Sequence, residues 1–515
     1  MHRRLGAPLS NRPPAICSCP KRLWQTGAMP QRICFLSAEI SPFAKTGGLG
    51  DVSAALTRYL ARRGHDVRVF VPLHSQMDLQ GVDRHPVENL QGLTVQVGPR
   101  SFRYDVQTAR EPGSQFWIYL IDCPAIFDRP RIYSDAPDEH VRYLVLTRAA
   151  LDCCQRLGFA PQIVHCNDWH TAFAPLLLRT AYAWDREIFG ATRSVLTIHN
   201  IGYQGVFAAG AAADVGPGVP LESLHQPDLA AGQVNPMRHG ILHADAVTTV
   251  SPTYASEIRT PEGGYGLDGD LIARGDAVSG ILNGVDYDAW NPATDHYLPY
   301  RYDATDLVGK ARNKEALLDL LRMPAATTTP LIGMVTRLTR QKGIELLFET
   351  LPPLLESRDV RFVALGSGEP HYERFMHELQ ERFPGRAVYY SGYSEELAHL
   401  IEAASDMFLM PSLYEPCGLN QMYSLKYGTV PIVRRTGGLA DSVRHFDPAS
   451  GLGTGIVFND FDAGGLRWAL ETALKWFGWP SVWRRLVANG MREDFSWDTQ
   501  GAQYEELYAR LVTSG

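Results

Sequence analysis

One short phrase occurs twice in this chain. Lys45-Thr46-Gly47-Gly48-Leu49-Gly50-Asp51 near the start is echoed by Arg435-Thr436-Gly437-Gly438-Leu439-Ala440-Asp441 near the end. Each copy follows an apolar run, Ile33-Cys34-Phe35-Leu36 in the first case and Val430-Pro431-Ile432-Val433 in the second. After the first copy, Val52, Leu56, Tyr59 and Leu60 recur at helical spacing until Gly64. A helix is expected after the second copy as well. Both glycine pairs therefore belong between a strand and a helix. Glycine there lets backbone N–H groups approach a ligand closely, and a helix start favours an anion. Lys45 adds a positive charge beside the first turn. Two anion-cradling turns so far apart imply two similar domains facing one cleft.

The strand-like runs support that division. In the first half they fall at 33–36, 67–71, 116–121, 163–165, 194–198, 246–250 and 280–282, with helices between them, one near 140–157. A stretch rich in Asp, Pro and Tyr at 287–305 reads as a linker. A second series follows at 331–335, 360–365, 387–390, 407–410, 430–433 and 455–458. Tyr504, Leu507, Tyr508 and Leu511 make 497–511 one amphipathic helix. Alternating strands and helices predict α/β domains built on parallel sheets. The domains expected are 29–282, 283–492 and a closing helical segment, 493–515, that crosses back to the first. The first 28 residues are basic, without an acidic residue, and read as a disordered tail or as a start assigned too early, Met29 lying just ahead of the first strand. A transit peptide is the alternative.

Composition excludes several classes. With 515 residues, 45% hydrophobic and 20% charged, the chain is an ordinary globular protein with ample core. A net charge of −7 gives no bias toward nucleic acid or an anionic membrane. No apolar run is long enough to span a bilayer. Cys17, Cys19, Cys34, Cys123, Cys153, Cys154, Cys166 and Cys417 form no C-x-x-C pair. Buried free thiols in a reducing cytoplasm fit them better than disulfides or zinc.

The polar oddities fall after strands, where open α/β sheets bind ligands. Arg337 and Lys342 follow the strand at 331–335, and two cations there suit a diphosphate. A solvated basic loop is the plain alternative, disfavoured by the two glycine turns. Glu415 follows 407–410 and could hold sugar hydroxyls or stabilise a cationic sugar centre. Taken alone it would be read as a helix cap. Asp168 and His170 follow one strand, and His199 and Asn200 another. These pairs suggest a sugar-hydroxyl pocket, their spacing matching no common zinc site. Three D-x-D triplets, at 268–270, 286–288 and 460–462, read as chance rather than metal ligands.

Taken jointly, these phrases resemble the bacterial and plant glycogen/starch synthases, retaining glycosyltransferases of the GT-B type. The matching runs are K-T-G-G-L-G-D-V at 45–52, Y-L-I-D-C-P at 119–124, H-C-N-D-W-H at 165–170, T-I-H-N-I-G-Y-Q-G at 197–205 and V-S-P-T-Y-A-S-E-I at 250–258. They continue with Y-G-L-D-G at 265–269, I-L-N-G-V-D at 281–286, T-R-L-T-R-Q-K-G at 336–343, E-P-C-G-L-N-Q at 415–421 and R-R-T-G-G-L-A-D at 434–441. The resemblance implies two Rossmann-like, doubly wound domains about a cleft that closes on a hinge near 283–305. It implies ADP-glucose as donor, ADP as product, glycogen or a malto-oligosaccharide as acceptor, and neither metal nor other cofactor. It fixes no oligomeric state.

By the same resemblance, Lys45, His199, Glu415, Arg337 and Lys342 would be catalytic. Arg337 and Lys342 would neutralise the leaving diphosphate. Gly47, Gly48, Gly418, Thr436, Gly437 and Gly438 would bind the donor, the glycine pairs through backbone N–H groups. Asp168, His199, Asn200 and Asn283 would join Glu415 around the transferred glucose. Tyr393 would stack on adenine, and Tyr133 and Asp51 would line the acceptor side. Related transferases carry a second Glu eight residues after the first, where this chain has Tyr423. That departure disfavours sucrose-, trehalose- and lipopolysaccharide-type relatives. A UDP-glucose enzyme and a non-catalytic glucan-binding protein are the competing readings. Direct same-face attack is preferred to a covalent Glu415 intermediate.

Overall fold

The computed structural model describes residues 29–110, 116–324 and 328–513, so the basic segment 1–28 lies outside the described residues. The first sheet runs in the order Val278–Gly280, Ala246–Thr249, Arg193–Ile198, Ile163–Asn167, Arg32–Leu36, Asp66–Pro72, Ile118–Asp122, Arg100–Arg110 and Asp83–Pro86, with Leu93–Val97 also on Arg100–Arg110. Every pairing from Val278–Gly280 to Ile118–Asp122 is parallel. The second sheet is parallel throughout: Ala387–Ser391, Arg361–Gly366, Leu331–Val335, Met407–Met410, Val430–Arg434, Ile456–Phe458. Central strands such as Ile163–Asn167 and Arg361–Gly366 are buried along their whole length. Helices cover both sheet faces, which is why these strands read as unbroken apolar runs.

Topology places the site. In the first sheet the chain's first strand lies between the second strand and Ile163–Asn167; in the second, Leu331–Val335 lies between Arg361–Gly366 and Met407–Met410. Strand order reverses at both points, and a crevice opens there beyond the carboxyl ends. Lys45 to Asp51 follow the first strand, and Arg337 and Lys342 follow Leu331–Val335. The helix after the first turn is Gly48–Arg62, starting earlier than the apolar spacing indicated because Gly48 is already helical and Gly47 is its N-cap.

Two other elements differ from the expectations. The strand assigned to 280–282 is Val278–Gly280. The antiparallel flap of Asp83–Pro86, Leu93–Val97 and Arg100–Arg110 was not foreseen. Residues 287–305 contain neither helix nor strand, yet they pack tightly. Asp295 is 2% exposed, and Trp290 lies between the rings of His399 (3.7 Å) and Tyr423 (3.9 Å). The helix Trp497–Thr513 lies on the first domain. Tyr59 donates to Glu505 at 2.6 Å, and the Tyr508 hydroxyl lies 2.6 Å from His165 Nδ1.

Candidate active site

On the second domain the groups that could meet a diphosphate and a sugar are fixed by main-chain geometry. Gly343 has φ of 68°, and a Cβ on it would lie 2.1 Å from the Pro411 carbonyl oxygen. Only glycine lets the turn Arg340–Lys342 press so closely on the loop after Met407–Met410. Leu413 N–H then donates to the Gln341 carbonyl at 2.9 Å. Held this way, Lys342 Nζ sits 2.6 Å from Glu415 Oε2, which also accepts from Ser412 Oγ at 3.0 Å. Glu415 is 5% exposed, and its Oε1 has no partner among the described residues. Arg337 is exposed, and its guanidinium has no side-chain or carbonyl partner among the described residues.

Across the cleft, Lys45 Nζ pairs with Asp51 Oδ1 at 2.9 Å. Thr46 N–H and Gly47 N–H both donate to Glu39 Oε2, at 2.7 and 3.3 Å, and Thr46 Oγ1 donates to Glu39 Oε1. Tyr133 reaches the same Glu39 carboxylate and stacks on His170 at 4.8 Å. Gly47 and Gly48 are exposed. A Cβ on Gly47 would meet nothing within 4 Å, and one on Gly48 would meet only Leu419 Cδ1 at 3.9 Å. The first turn thus faces the Gly418-Leu419 segment, where Gly418 takes φ of 70°. Glu395 lies close enough to Lys45 to feel its charge. The His399 hydrogen bond, then the Tyr393 hydroxyl and Lys45, pull its carboxyl down to about 2 against burial. Tyr393, 62% exposed, leaves its ring free beside this cluster.

Asp168 adopts a left-handed φ of 53° at the end of Ile163–Asn167. Its Oδ1 accepts from His199 N–H at 2.7 Å and, more weakly, from Asn200 N–H at 3.4 Å. Burial raises its carboxyl to about 7 against those bonds. Burial also lowers the His199 ring to about 3, so it stays neutral. Asn167 donates to the Leu36 carbonyl at 2.9 Å, which turns its Oδ1 toward His199 Nε2, also 2.9 Å away. His199 is therefore a fixed hydrogen-bonding group rather than a cation. Asn200 reaches the other domain through the Tyr414 hydroxyl.

Several assigned residues sit elsewhere than expected. Thr436, Gly437 and Gly438 are buried with their donors engaged. Thr436 Oγ1 and Gly437 N–H both donate to Glu257 Oε1 at 3.0 Å. Gly438 N–H donates to the carbonyls of Glu415 and Pro416, at 3.1 and 3.2 Å. The second glycine pair lies behind Glu415 rather than opening onto the cleft, so its N–H groups are not available to a phosphate in this arrangement. Asn283 is 4% exposed and bonds Cys417, its Oδ1 unpartnered. Tyr423 stacks on Trp290 at 3.9 Å, buried beneath the cluster of Asp51 and Glu395, whose charges reach its hydroxyl. Of the acidic triplets, Asp270 binds Arg238, Asp286 binds Arg58 and Asp462 caps Ala463–Phe477. Glu39, Tyr414 and Glu257 were given no role by sequence reading; each acts on a partner that no local pattern announces.

The sequence matches a family model described as the starch synthase catalytic domain over residues 32–273, and one described as glycosyl transferases group 1 over 322–476. The chain is 41% identical over 497 residues to "Glycogen synthase 1" of Geobacter metallireducens, covering 93% of this chain and 96% of that protein. It is 44% identical over 487 residues to the glycogen synthase of Anaeromyxobacter dehalogenans, covering 93% and 100%. This chain belongs to the glycogen synthase family. Among solved structures, the catalytic domain of starch synthase IV from Arabidopsis thaliana, bound to ADP and acarbose, superposes with a TM-score of 0.87 at 37% identity, covering 94% of this chain and all of that one. The fold is the GT-B fold, and the glycogen synthase family makes this chain a glucosyltransferase. No helix among the described residues is long and apolar enough to cross a membrane.

Proposed function

We propose that this member of the glycogen synthase family transfers glucose from ADP-glucose to the non-reducing end of an α-1,4-glucan with retention of configuration, releasing ADP. The observation that carries the reading is the charge layout of the cleft. Arg337 is uncommitted, Lys342 is fixed against Glu415, and Lys45 faces them from the other switch point. Breaking a glycosyl–diphosphate bond leaves negative charge on the phosphates, and preorganised cations in a closed cleft stabilise it. Those side chains supply the field, and we assign no metal or other cofactor. Glu415 already carries Lys342 and Ser412 on Oε2, so Oε1 takes a sugar hydroxyl. That favours same-face attack, with the departing phosphate as base, over a glucosyl–Glu415 intermediate. Tyr393 offers its exposed ring to adenine, and the relative solved with ADP and acarbose supports an adenine donor and a glucan-like acceptor. The buried free thiols suit a reducing cytoplasm.

The test is incorporation of labelled glucose into glycogen from ADP-glucose and, separately, UDP-glucose, with Lys342→Ala as control. Turnover with ADP-glucose that is lost in the control supports the reading. Preference for UDP-glucose overturns the donor, and no incorporation from either overturns the reaction.

A further inference from the structure

Two short helices meet where the domains touch, Pro252–Glu257 from the first and Gly437–Ser442 from the second. Each supplies the acid that satisfies the other's leading donors. Glu257 Oε1 accepts from Thr436 Oγ1 and Gly437 N–H, both at 3.0 Å. Asp441 accepts from Thr253 N–H at 2.8 Å and Thr253 Oγ1 at 2.6 Å. The arrangement is reciprocal, and all of these bonds cross the domain boundary. Hydrogen bonds to a carboxylate are roughly twice as strong as neutral ones.

The clasp encloses the chain that bears Glu415. Ser251, just before the first helix, donates through Oγ to the Pro416 carbonyl at 2.6 Å. Gly438, inside the second helix, donates to the carbonyls of Glu415 and Pro416. A Cβ on Gly437 would lie 2.0 Å from the Glu415 carbonyl oxygen, and one on Gly438 would lie 2.1 Å from that of Cys417. The backbone from Glu415 to Cys417 is thus pressed against one helix and tied to both. Displacing the Gly437–Ser442 helix must displace Glu415.

We propose that Glu257 and Asp441 are positioning residues for glucosyl transfer. Together they lock the second glycine turn to the first domain, and that turn sets where the Glu415 carboxylate points. They touch neither substrate. The first domain therefore controls a sugar-facing group carried by the second, through a joint placed behind the cleft. Arg337 and Lys45 lie outside the clasp, so diphosphate binding is largely independent of it.

This inference rests on Glu415 serving the transferred sugar. The experiment measures kcat, KM for ADP-glucose and the Kd for ADP in Glu257→Ala, Glu257→Gln, Asp441→Ala, Thr436→Val and Glu415→Gln, with a melting curve for each. Glu257→Ala should lower kcat by about tenfold to a hundredfold, the range a small misplacement of a reacting group gives, with the ADP Kd within about twofold of wild type. Glu257→Gln keeps the accepting oxygen and should recover most of kcat. Thr436→Val removes one donor only, keeps the helix, and should lower kcat in the same direction if Glu257→Ala does not fold. An unchanged kcat in Glu257→Ala, or in Thr436→Val where Glu257→Ala does not fold, overturns the proposal. So does a parallel loss of ADP affinity. If Glu415→Gln turns over normally, the underlying reading of Glu415 has failed. If Glu415→Gln is inactive while Glu257→Ala is fully active, only the clasp has failed.

Discussion

The two Thr-Gly-Gly-Leu turns are near copies in sequence and differ in what surrounds them. In both, the threonine and the first glycine donate to a glutamate of the chain: Glu39 for Thr46 and Gly47, Glu257 for Thr436 and Gly437. Glu39 lies seven residues from Thr46, in the same domain, whereas Glu257 lies 180 residues from Gly437, in the other domain. The first turn is exposed and has open space above Gly47. The second is buried, and its glycines are demanded by the backbone of Glu415 to Cys417 pressed against them. The flanking cations diverge too. Lys45 faces the cleft beside Asp51, while Arg435 turns to Asn459 at 2.9 Å. Both turns give N–H groups to a carboxylate of the chain, but the first does so within its own domain and stays open to the cleft, whereas the second does so across the domain boundary and is packed over.

The flanking cations give the largest test. Lys45→Ala should cut turnover by about a hundredfold to a thousandfold, the cost of one preorganised charge-stabilising donor, with an unchanged melting temperature. Arg435→Ala should leave steady-state turnover within about twofold, as surface substitutions away from a site do. Equal losses in the two variants would break the comparison. Next come the glycines, measured by chemical unfolding. Gly437 has φ of 41°, and a Cβ there would overlap the Glu415 carbonyl oxygen at 2.0 Å. Gly437→Ala should cost about 3 kcal/mol or more, combining overpacking with a left-handed backbone. Gly47 has φ of −164°, an extended value open to any residue, and free space around it. Gly47→Ala should stay within about 0.5 kcal/mol of wild type. Similar destabilisation at both positions would show that the two turns are packed alike.

Much of the fold was legible because buried parallel strands are nearly continuous apolar runs. Cys34 to Leu36 and Leu331 to Met334 announce themselves that way. Of the antiparallel flap, Asp83–Pro86 was hidden because it is exposed along its whole length, whereas Leu93–Val97 does carry an alternating apolar face and was overlooked. At the site, Arg337, Lys342, Glu415, Asp168 and His199 could be picked out because each breaks from an apolar strand into polar sequence at its carboxyl end. The partnerships were not legible. Glu257 stands in a phrase that matched the family, yet nothing near it in sequence indicates Thr436 or Gly437 as its partners. The same gap hid the burial of the second turn. Identical local sequence predicts identical local geometry, but only the packed neighbour tells an open cradle from a filled one.

The smallest effect separates the histidines near the two turns. His399 belongs to the side of the first turn, sharing Glu395 with Lys45. Burial alone would lower it, but hydrogen bonds to Asp295 and Glu395 outweigh burial and raise it above its ordinary 6.5. A raised histidine stabilises the fold fully below its unfolded value, and that contribution is lost as pH rises through the folded one. His445 belongs to the side of the second turn. Burial, then the charge of Arg435, lowers it below 6.5, and its Nδ1 accepts from Val457 N–H at 3.1 Å. Staying neutral while the unfolded chain protonates, it loses stability as pH falls from 6.5 toward its folded value. Melting temperatures recorded across this range should therefore decline on both sides. His399→Gln should lessen only the alkaline decline, and His445→Gln, which keeps an accepting oxygen for Val457, should lessen only the acid one, to which the buried His165, His199 and His239 also contribute. Removing either histidine and flattening the opposite limb would reverse the assignment of charge to the two sides. The signs differ because the first side sets two carboxylates on its histidine, whereas the second sets the Arg435 charge near a half-buried one.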